Sequence, residues 1–401
     1  MSTHAASWAP SHWRAALAGA AASLVGIGLA RFAYTPLLPA IISAHWFSAS
    51  GATYLGAANL AGYLLGVMLA ALLARFIPAP IVLRAMMAAT TLSLAACAWP
   101  VNFAWFFAWR LLSGVAGGAM MILAAPTVLP HVPPARRGLV SGIIFVGVGL
   151  GIAASGTLVP VMLRYGLTFT WIGLAAICLV LTIAAWGGWP AAPALAAAGH
   201  AHVPRPRHTH TLTGLYMEYG LCAVGLVPHM LFLVVFIARG LGQGLNSGAR
   251  YWVVFGIGAV IGPLMTGNLA DRAGHALALR LIYVIQAAAT LLPALNHGTP
   301  CLIVSSAIMG ALTPGVVPVV LGRVFELTGG HGAAQKTAWS TATTCFATIQ
   351  AASAYVMSYL LAHTGNYRLL FTLGAGAMVL ALLVNLLAAA AARGDKESAS
   401  F

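Results

Sequence analysis

The sequence predicts an all-α polytopic membrane protein with twelve transmembrane helices in two pseudo-symmetric six-helix halves. Of its 401 residues, 61% are hydrophobic and 6% are charged, and the mean hydropathy is +0.93. A soluble domain carries about 25% charged residues, so a water-soluble enzyme and a disordered chain are excluded. Apolar runs long enough to cross a bilayer recur along the chain, and one long polar break follows the sixth run.

The twelve predicted spans follow from breaks at proline, glycine and charged residues. A helix needs about 20 apolar residues to cross the hydrocarbon core, and it satisfies its backbone hydrogen bonds internally. The first run could imitate a signal peptide, but it is too long, contains Arg31 and precedes many similar runs, so we interpret it as an uncleaved span. Spans 1 to 12 are predicted at residues 14–40, 50–73, 79–99, 103–130, 139–160, 169–188, 214–237, 248–269, 277–296, 300–325, 338–362 and 367–391.

The polar break organises the chain into two halves. We predict a tail at residues 1–13, a first half at 14–188, a linker at 189–213, a second half at 214–391 and a tail at 392–401. The linker contains prolines, arginines and four histidines, which could bind a metal. A flexible, proline-interrupted segment is poorly preorganised for that, and we interpret it as a solvated basic tether. Those histidines are His200, His202, His208 and His210.

The placement of lysine and arginine predicts the orientation. Thirteen of these residues fall on the side of the termini, four fall on the other side, and Arg31 and Arg110 lie within spans. Positive charge accumulates on the cytoplasmic side of membrane proteins. Both termini are therefore expected in the cytoplasm.

Several other classes of function are disfavoured by the sequence. The net charge is +14, but the basic residues are scattered singly between apolar runs, so no face for nucleic acid is expected. The five cysteines stand apart without a metal-ligand spacing, and no Gly-x4-Gly-Lys-Ser/Thr motif suggests an ATP site. Neither a metal nor a cofactor is expected.

Glycines recur at a nearly constant separation in the two halves. Gly66 and Gly262 are 196 positions apart, as are Gly114 and Gly310, whereas Gly28 and Gly225 are 197 apart. This spacing indicates a duplicated six-helix unit. Repeated halves with a binding site between them are a common architecture of secondary transporters.

Motifs along the whole chain resemble the major facilitator superfamily, and in particular its YbfB/YjiJ-like branch. GNLADRAGH at residues 267–275 is similar to the loop between helices 8 and 9 of that superfamily, and Arg110-x3-Gly114-x3-Gly118 is similar to its helix 4 motif. The strings that resemble the branch are GIGLARFAYTPLLP at 26–39, VPHMLF at 227–232, IARGLG at 237–242 and PGVVPVVLGRVFE at 314–326. The resemblance implies a transporter of a bacterial inner membrane whose helices 1, 4, 7 and 10 line a central cavity.

Two motifs depart from the family pattern. At an offset of 196, the loop after span 2 has Arg75 where the second copy has Asp271, so a gating role falls to Asp271 and Arg272. The resemblance implies that these two residues bridge helix ends at the cytoplasmic side and hold one conformation closed. Arg323 and Glu326, three residues apart, are further gate candidates, although solvated loop charges are an equal alternative. Span 5 resembles the helix 5 motif of antiporters but lacks its proline, so antiport is not established.

Arg31 and Arg110 carry the substrate hypothesis. An ionised side chain inside a bilayer costs about 3 kcal/mol or more, so it usually faces a wet cavity. The equivalents of the two arginines in the second half are Pro228 and Ser306, and this asymmetry favours a binding site over a structural role. Arginine binds carboxylate and phosphate oxygens, so we predict an anionic substrate beside Arg31, Tyr34, Arg110 and His229. The alternative is that each arginine snorkels or bonds a helix carbonyl.

Glu218 and His229 are the candidate proton carriers. Both belong to one stripe of span 7, and His229 is the deeper residue. Histidine titrates near neutrality without help, which favours it slightly. The alternatives are that water reaches Glu218 near the membrane surface and that His229 only packs between helices.

The leading hypothesis is a secondary active transporter that moves a small organic anion by alternating access, coupled to protons. The alternatives are proton-driven efflux of drugs or other amphipathic compounds, and a transport-dead membrane sensor. Two arginines and at most one deep acid argue against a cationic cargo. An enzyme is not expected, because five acids over the chain supply no catalytic cluster. The expected partners are the substrate, protons and the lipid bilayer, and a monomer is expected.

Overall fold

The computed structural model describes residues 10–132, 137–190, 209–295, 298–329 and 332–398, and within these ranges every regular element is helical. Twelve helical segments are long and apolar enough to cross a membrane. The predicted fold class and the number of spans are confirmed. Residues 191–208, which include three of the four linker histidines, lie outside the described residues.

Ten spans are continuous α-helices, and short 3-10 turns at Leu129–His131 and Leu163–Tyr165 follow spans 4 and 5. Several helices extend beyond the predicted apolar runs, since hydropathy marks the edge of the membrane rather than the last helical residue. In span order these helices are Ala49–Phe76, Ala79–Ala96, Phe103–Val128, Arg137–Met162, Leu167–Ala185, Gly244–Ala273, His275–Leu295, Thr299–Thr328, Gly332–Thr364 and Tyr367–Ser398.

Spans 1 and 7 are interrupted. Span 1 consists of an α-helix at Pro10–Ser23, a π-helical turn at Leu24–Leu29 and an α-helix at Tyr34–Ser43. Span 7 begins at Thr209, inside the predicted linker, and its α-helix ends at Val227. It continues through π-helical turns at Pro228–Phe232 and Phe236–Gly240, which flank the short helix Leu233–Val235. π-Helical turns within helices occur often at functional sites.

The two halves repeat the same helix packing. In the first half, Gly62 and Gly66 of span 2 lie directly against the backbone of Leu111 and Val115 of span 4. In the second half, Gly258 and Gly262 of span 8 lie in the same way against Ala307 and Ala311 of span 10. Every one of these positions is related to its counterpart by 196 residues. A side chain at any of the four glycines would collide with backbone, so the close approach requires glycine.

The halves meet along spans 5 and 8 and along spans 2 and 11. We call the end of the bundle that holds both chain termini the terminal end, and the opposite end the distal end. Near the distal end, the ring of Tyr54 in span 2 stacks on Tyr355 of span 11 with 6.2 Å between centroids. Arg239 donates to the Ser43 hydroxyl between the ends of spans 7 and 1, over 3.4 Å. These contacts hold the halves together at the distal end.

Large apolar side chains cover the outer surface of the bundle. Leu72, Ile81, Val180, Leu264 and Leu387 are exposed although each lies within a long helix. Contiguous apolar surface of this kind is rare on soluble proteins and typical of contact with lipid. Exposed aromatic residues also mark the distal rim, as they do at membrane interfaces; examples are Trp99, Trp105, Tyr165 and Phe169.

Candidate functional site

The interruption of span 1 exposes backbone where the candidate site forms. Within its π-helical turn, Ala30 N–H donates to the carbonyl of Val25 over 3.1 Å, and Phe32 N–H donates to that of Ile27 over 3.3 Å. These bonds between residues five apart make the turn wider than an α-helix. The N–H of Thr35 then donates to the carbonyl of Phe32 over 3.3 Å, so the carbonyl of Ala30 is available to another partner.

Arg110 of span 4 reaches that carbonyl. Its Nη1 donates to Ala30 O over 2.7 Å, and its guanidinium carbon lies 4.3 Å from the centroid of the Tyr34 ring. The Tyr34 hydroxyl donates in turn to the carbonyl of Ala52 over 2.6 Å. Arg110 is 2% exposed, and its Nε has no hydrogen-bond partner. Arg110 thus makes the helix-carbonyl bond that the structural alternative predicts, and it retains a free donor.

Arg31 is partly buried and crosses the interface between the halves. It donates a hydrogen bond to the Gln350 side-chain oxygen in span 11. Its guanidinium carbon lies 4.8 Å from the Tyr63 ring centroid and 5.6 Å from that of Phe32. Its Nε has no partner. Aromatic faces stabilise a cation without neutralising it, so the positive charge remains.

Arg31, Tyr34 and Arg110 line one cavity. Its wall also includes Thr35 and Asn59 of the first half and Met230 of the second half. Thr35 donates to the carbonyl of Met230 over 2.6 Å, which closes the cavity across the interface. Among the residues that the structure describes, neither guanidinium forms an ion pair with an acid. Two positive charges therefore share a cavity to which no described residue supplies an anion.

The structure does not bring His229 to this cavity, although the sequence analysis places it there. The ring is fully buried inside the second half, with its Nε2 2.8 Å from Ser305 Oγ and its edge against Phe371. Ser305 donates its own proton to the carbonyl of Ala289 over 2.6 Å, so its oxygen accepts from His229 Nε2–H. The prediction fails because the stripe of span 7 that holds Glu218 and His229 faces the interior of the second half rather than the interface between the halves.

Glu218 lies in a second cavity, between helices of the second half near the terminal end. Arg280, Arg323 and Asn385 line the same cavity. The carboxylate accepts a hydrogen bond from the Asn385 side chain, and Arg280 Nε donates to Asn385 Oδ1 over 2.8 Å. Glu218 is 2% exposed and its Oε2 has no partner. The structure thus gives a buried acid with one unused oxygen and two nearby cations.

Comparison with known families identifies the chain. Residues 23–386 match the family described as "Uncharacterised MFS-type transporter YbfB". The chain belongs to this family. It is a multi-pass membrane transporter of the major facilitator type, as the resemblance of its motifs predicts. No curated protein matches it.

The gate candidates of this transporter lie at the terminal end of the second half. Arg323 Nη1 lies 2.8 Å from Glu326 Oε2, and His275 Nδ1 lies 2.5 Å from Glu326 Oε1. Asp271 and Arg272 are exposed in the last turn of span 8, and neither forms an ion pair with the described residues. The bridge expected of Asp271 and Arg272 is therefore formed here by His275, which links spans 9 and 10.

Sequence reasoning missed three polar residues around the arginines. Asn59 donates to the carbonyl of Arg110 over 3.3 Å and to the hydroxyl of Ser113 over 2.8 Å. Tyr63 packs on Arg31, and Gln350 accepts from it. An uncharged polar residue within a predicted span is the signal that could have identified Asn59 and Gln350. Tyr63 carries no such signal, since tyrosines are common throughout this chain.

Proposed function

We propose that this protein is a secondary active transporter of a small organic anion, driven by protons through alternating access. The observation that carries the proposal is the pair Arg31 and Arg110 in one cavity at the interface of the halves, with no acid among the described residues to neutralise them. The protein acts on its cargo by moving it, and no bond of the cargo is broken.

The energetics of the two cations support an anionic cargo. Each charge costs about 3 kcal/mol or more inside a bilayer. Ring faces return about 2 kcal/mol when desolvated, and a bond to a carbonyl returns part of the rest. The remaining donors, Nε of Arg31 and Nε of Arg110, have no partner. A carboxylate or phosphate supplies both the charge and the acceptors that this cavity lacks.

The wall of the cavity suggests the shape of the cargo. Phe32, Leu60, Met230 and Leu231 present apolar surface beside the two guanidinium groups. Binding pockets are mostly apolar, with a few polar groups that fix orientation. An anion with an apolar body fits this lining better than a sugar, whose hydroxyl groups would have few partners. In this conformation the cavity has a volume of about 20 Å³, room for about one water molecule, so the body of the cargo requires the cavity to widen.

The position of the cavity supports alternating access. Its lining comes from both halves, and the contacts of Tyr54 with Tyr355 and of Ser43 with Arg239 hold the distal end together. The excess of basic residues on the terminal side supports a cytoplasmic location for that end, and the membrane that we propose is the inner membrane of a bacterium. In this orientation, the structure is a conformation closed toward the outside. Rocking one half against the other opens it.

Glu218 is the proton carrier that we propose. Its side chain lines a cavity near the terminal end, where a proton can arrive from the cytoplasm, and its Oε2 has no partner. His229 also has a nitrogen without a partner, Nδ1, but it is less suitable because its ring is fully buried and lines neither of the two cavities. The cargo site lies at the interface and the proton site lies in the second half, so the two are separate.

The alternatives make different demands on these sites. Efflux of cationic compounds requires negative charge in the cargo cavity, and its described residues supply two cations instead. A sensor without transport would bind the same anion but would not exchange it across a membrane. Binding alone does not separate a sensor from a transporter, whereas counterflow does.

The test is transport in proteoliposomes with radiolabelled acetate, benzoate, succinate and citrate under an imposed proton gradient. We expect at least one carboxylate to accumulate and to exchange in counterflow. Arg31→Ala and Arg110→Ala are expected to abolish both activities, whereas the exposed control Arg164→Ala retains them. Transport that persists in both cavity variants would exclude the anion site, and accumulation of a cation instead would favour efflux.

A further inference from the structure

Gln350 of span 11 has no role in the function described so far. We propose that it is the second half's ligand for the anionic group of the cargo, and that its amide oxygen occupies the anion's position on Arg31 while the site is empty. The inference rests on the proposed function, because it assumes that an anion binds Arg31. It identifies a residue that sets specificity and that makes binding depend on the conformation.

The geometry around Gln350 supports this role. The residue is 2% exposed, and its oxygen accepts from Arg31 across the interface between the halves. Its Nε2 has only the thioether sulfur of Met230 as partner, at 3.7 Å. Sulfur is a weak acceptor, so one end of this buried amide is well bonded and the other end is poorly satisfied. A buried amide with a spare donor is suited to receive a stronger acceptor.

An anion can replace the amide oxygen on Arg31. A bond between guanidinium and carboxylate is charge-assisted and roughly twice as strong as a bond to a neutral oxygen. After displacement, rotation about the terminal side-chain torsion, which is broad for glutamine, turns Nε2–H toward the incoming anion. The anion is then held by Arg31 from the first half and by Gln350 from the second half.

This arrangement couples binding to conformation. Arg31 belongs to span 1 and Gln350 to span 11, so separation of the halves at this level removes one of the two ligands. A ligand shifts a conformational equilibrium only through its different affinity for the two states. Gln350 provides such a difference, since only the closed interface offers both donors to one anion.

The amide also fits the chemistry of the site better than its charged analogue. A glutamate at this position would pair with Arg31 permanently, because an intramolecular carboxylate has a high effective concentration. The Gln350→Glu variant should therefore exclude anions from the cavity. The Gln350→Met variant keeps the length of the side chain but removes both amide groups, so Arg31 remains available and the second ligand is lost.

The experiment measures thermal unfolding of the purified full-length protein in detergent, titrated with acetate, benzoate, succinate or citrate, with benzamide as the uncharged analogue. We expect at least one carboxylate, but not benzamide, to stabilise the wild type. Gln350→Met is expected to weaken the binding of that carboxylate about tenfold or more. Gln350→Glu is expected to raise the melting temperature of the empty protein and to remove the response. The control Gln286→Met alters a glutamine buried inside the second half and should retain the wild-type affinity.

Each outcome separates this inference from the proposed function. If Gln350→Met and the wild type bind the carboxylate equally, Gln350 is not a ligand, and the anion site remains. If a carboxylate stabilises Gln350→Glu as much as the wild type, Gln350 is likewise not a ligand. The same conclusion follows if the higher melting temperature of empty Gln350→Glu persists in the Arg31→Ala/Gln350→Glu double variant, because the gain then does not come from pairing with Arg31. If no carboxylate stabilises the wild type in this assay, the proposed function and the inference both fail.

Discussion

The two halves of the molecule share their packing but differ in their polar residues. Asn59 lies against Gly114 in the first half just as Phe255 lies against Gly310 in the second half, at the same offset of 196. At the same offset from Arg110 the second half has Ser306, whose hydroxyl is buried without a partner. The duplicated glycine contacts therefore belong to the shared fold, and the unmatched side chains are those to which we assign the proposed function.

The acids show the opposite asymmetry. Glu218 corresponds at this offset to Ala22, and Glu326 corresponds to Pro130. His275 and Arg323, which contact Glu326, correspond to Ala79 and Thr127. The first half thus supplies the intramembrane cations, and the second half supplies the buried acid and the ion cluster. Under the proposed function, this division lets a duplicated scaffold keep a cargo site at the interface and a separate proton site inside one half.

The largest effect is expected when Arg110 is replaced by an apolar residue, and its unmatched counterpart Ser306 provides the control. Arg110→Met removes one cation and the donor to Ala30 O, so carboxylate binding should fall by about 10- to 100-fold and stability by about 1–3 kcal/mol. Ser306→Ala removes a hydroxyl that has no partner and should change neither quantity. Binding titrations measure the affinity for the carboxylate, and thermal unfolding measures the stability. A similar loss in the two variants would mean that the asymmetry has no functional meaning.

The matched glycines should give equal effects in the two halves. Gly66→Ala and Gly262→Ala each force a methyl group against backbone of the neighbouring helix, so each should cost about 1–3 kcal/mol in stability. Gly142→Ala, which has nothing within 4 Å, is the control and should be neutral. Thermal unfolding of the three variants checks this. A large loss of stability for the glycine variant of one half alone would contradict the shared packing.

Replacing the buried acid should affect coupling rather than binding. Glu218→Gln keeps the shape of the side chain but cannot exchange a proton, so uptake should no longer respond to an imposed proton gradient. Counterflow of the same carboxylate needs no net proton movement and should persist. The control His229→Gln should keep the response to the gradient, provided that it folds. If His229→Gln alone loses that response, the proton site has been assigned to the wrong residue.

The smallest effect is expected at the exposed ion cluster of the second half. Glu326→Gln breaks its contacts with His275 and Arg323, but pairs at the surface contribute about 0–1 kcal/mol. Added salt should reduce the difference further. Asp271→Asn, an exposed position without an ion pair among the described residues, should have no effect on unfolding. A loss of several kcal/mol of stability in Glu326→Gln would mean that the cluster is a main contact that holds this conformation closed.

The sequence predicted the features that depend on hydropathy and on depth. Twelve spans follow from apolar runs, and Arg31 and Arg110 meet in the structure because each lies at a similar depth in its helix. His229 was misplaced, because a sequence pattern shows which residues share a helix face but not which neighbouring helices that face meets. The face of span 7 that holds Glu218 and His229 meets the interior of the second half. Gln350 escaped notice because an uncharged amide is inexpensive within a span, and only the packing of spans 1 and 11 brings it to Arg31.

The central claim is that two guanidinium groups from one half bind the anionic cargo between the halves. Titration calorimetry tests it most directly, with purified wild-type protein, the Arg31→Ala/Arg110→Ala double variant and the Ser306→Ala control. The titrant is the carboxylate that transport identifies. We predict a single saturable site in the wild type and the control, and no detectable binding in the double variant. Equal binding by all three proteins would contradict the claim.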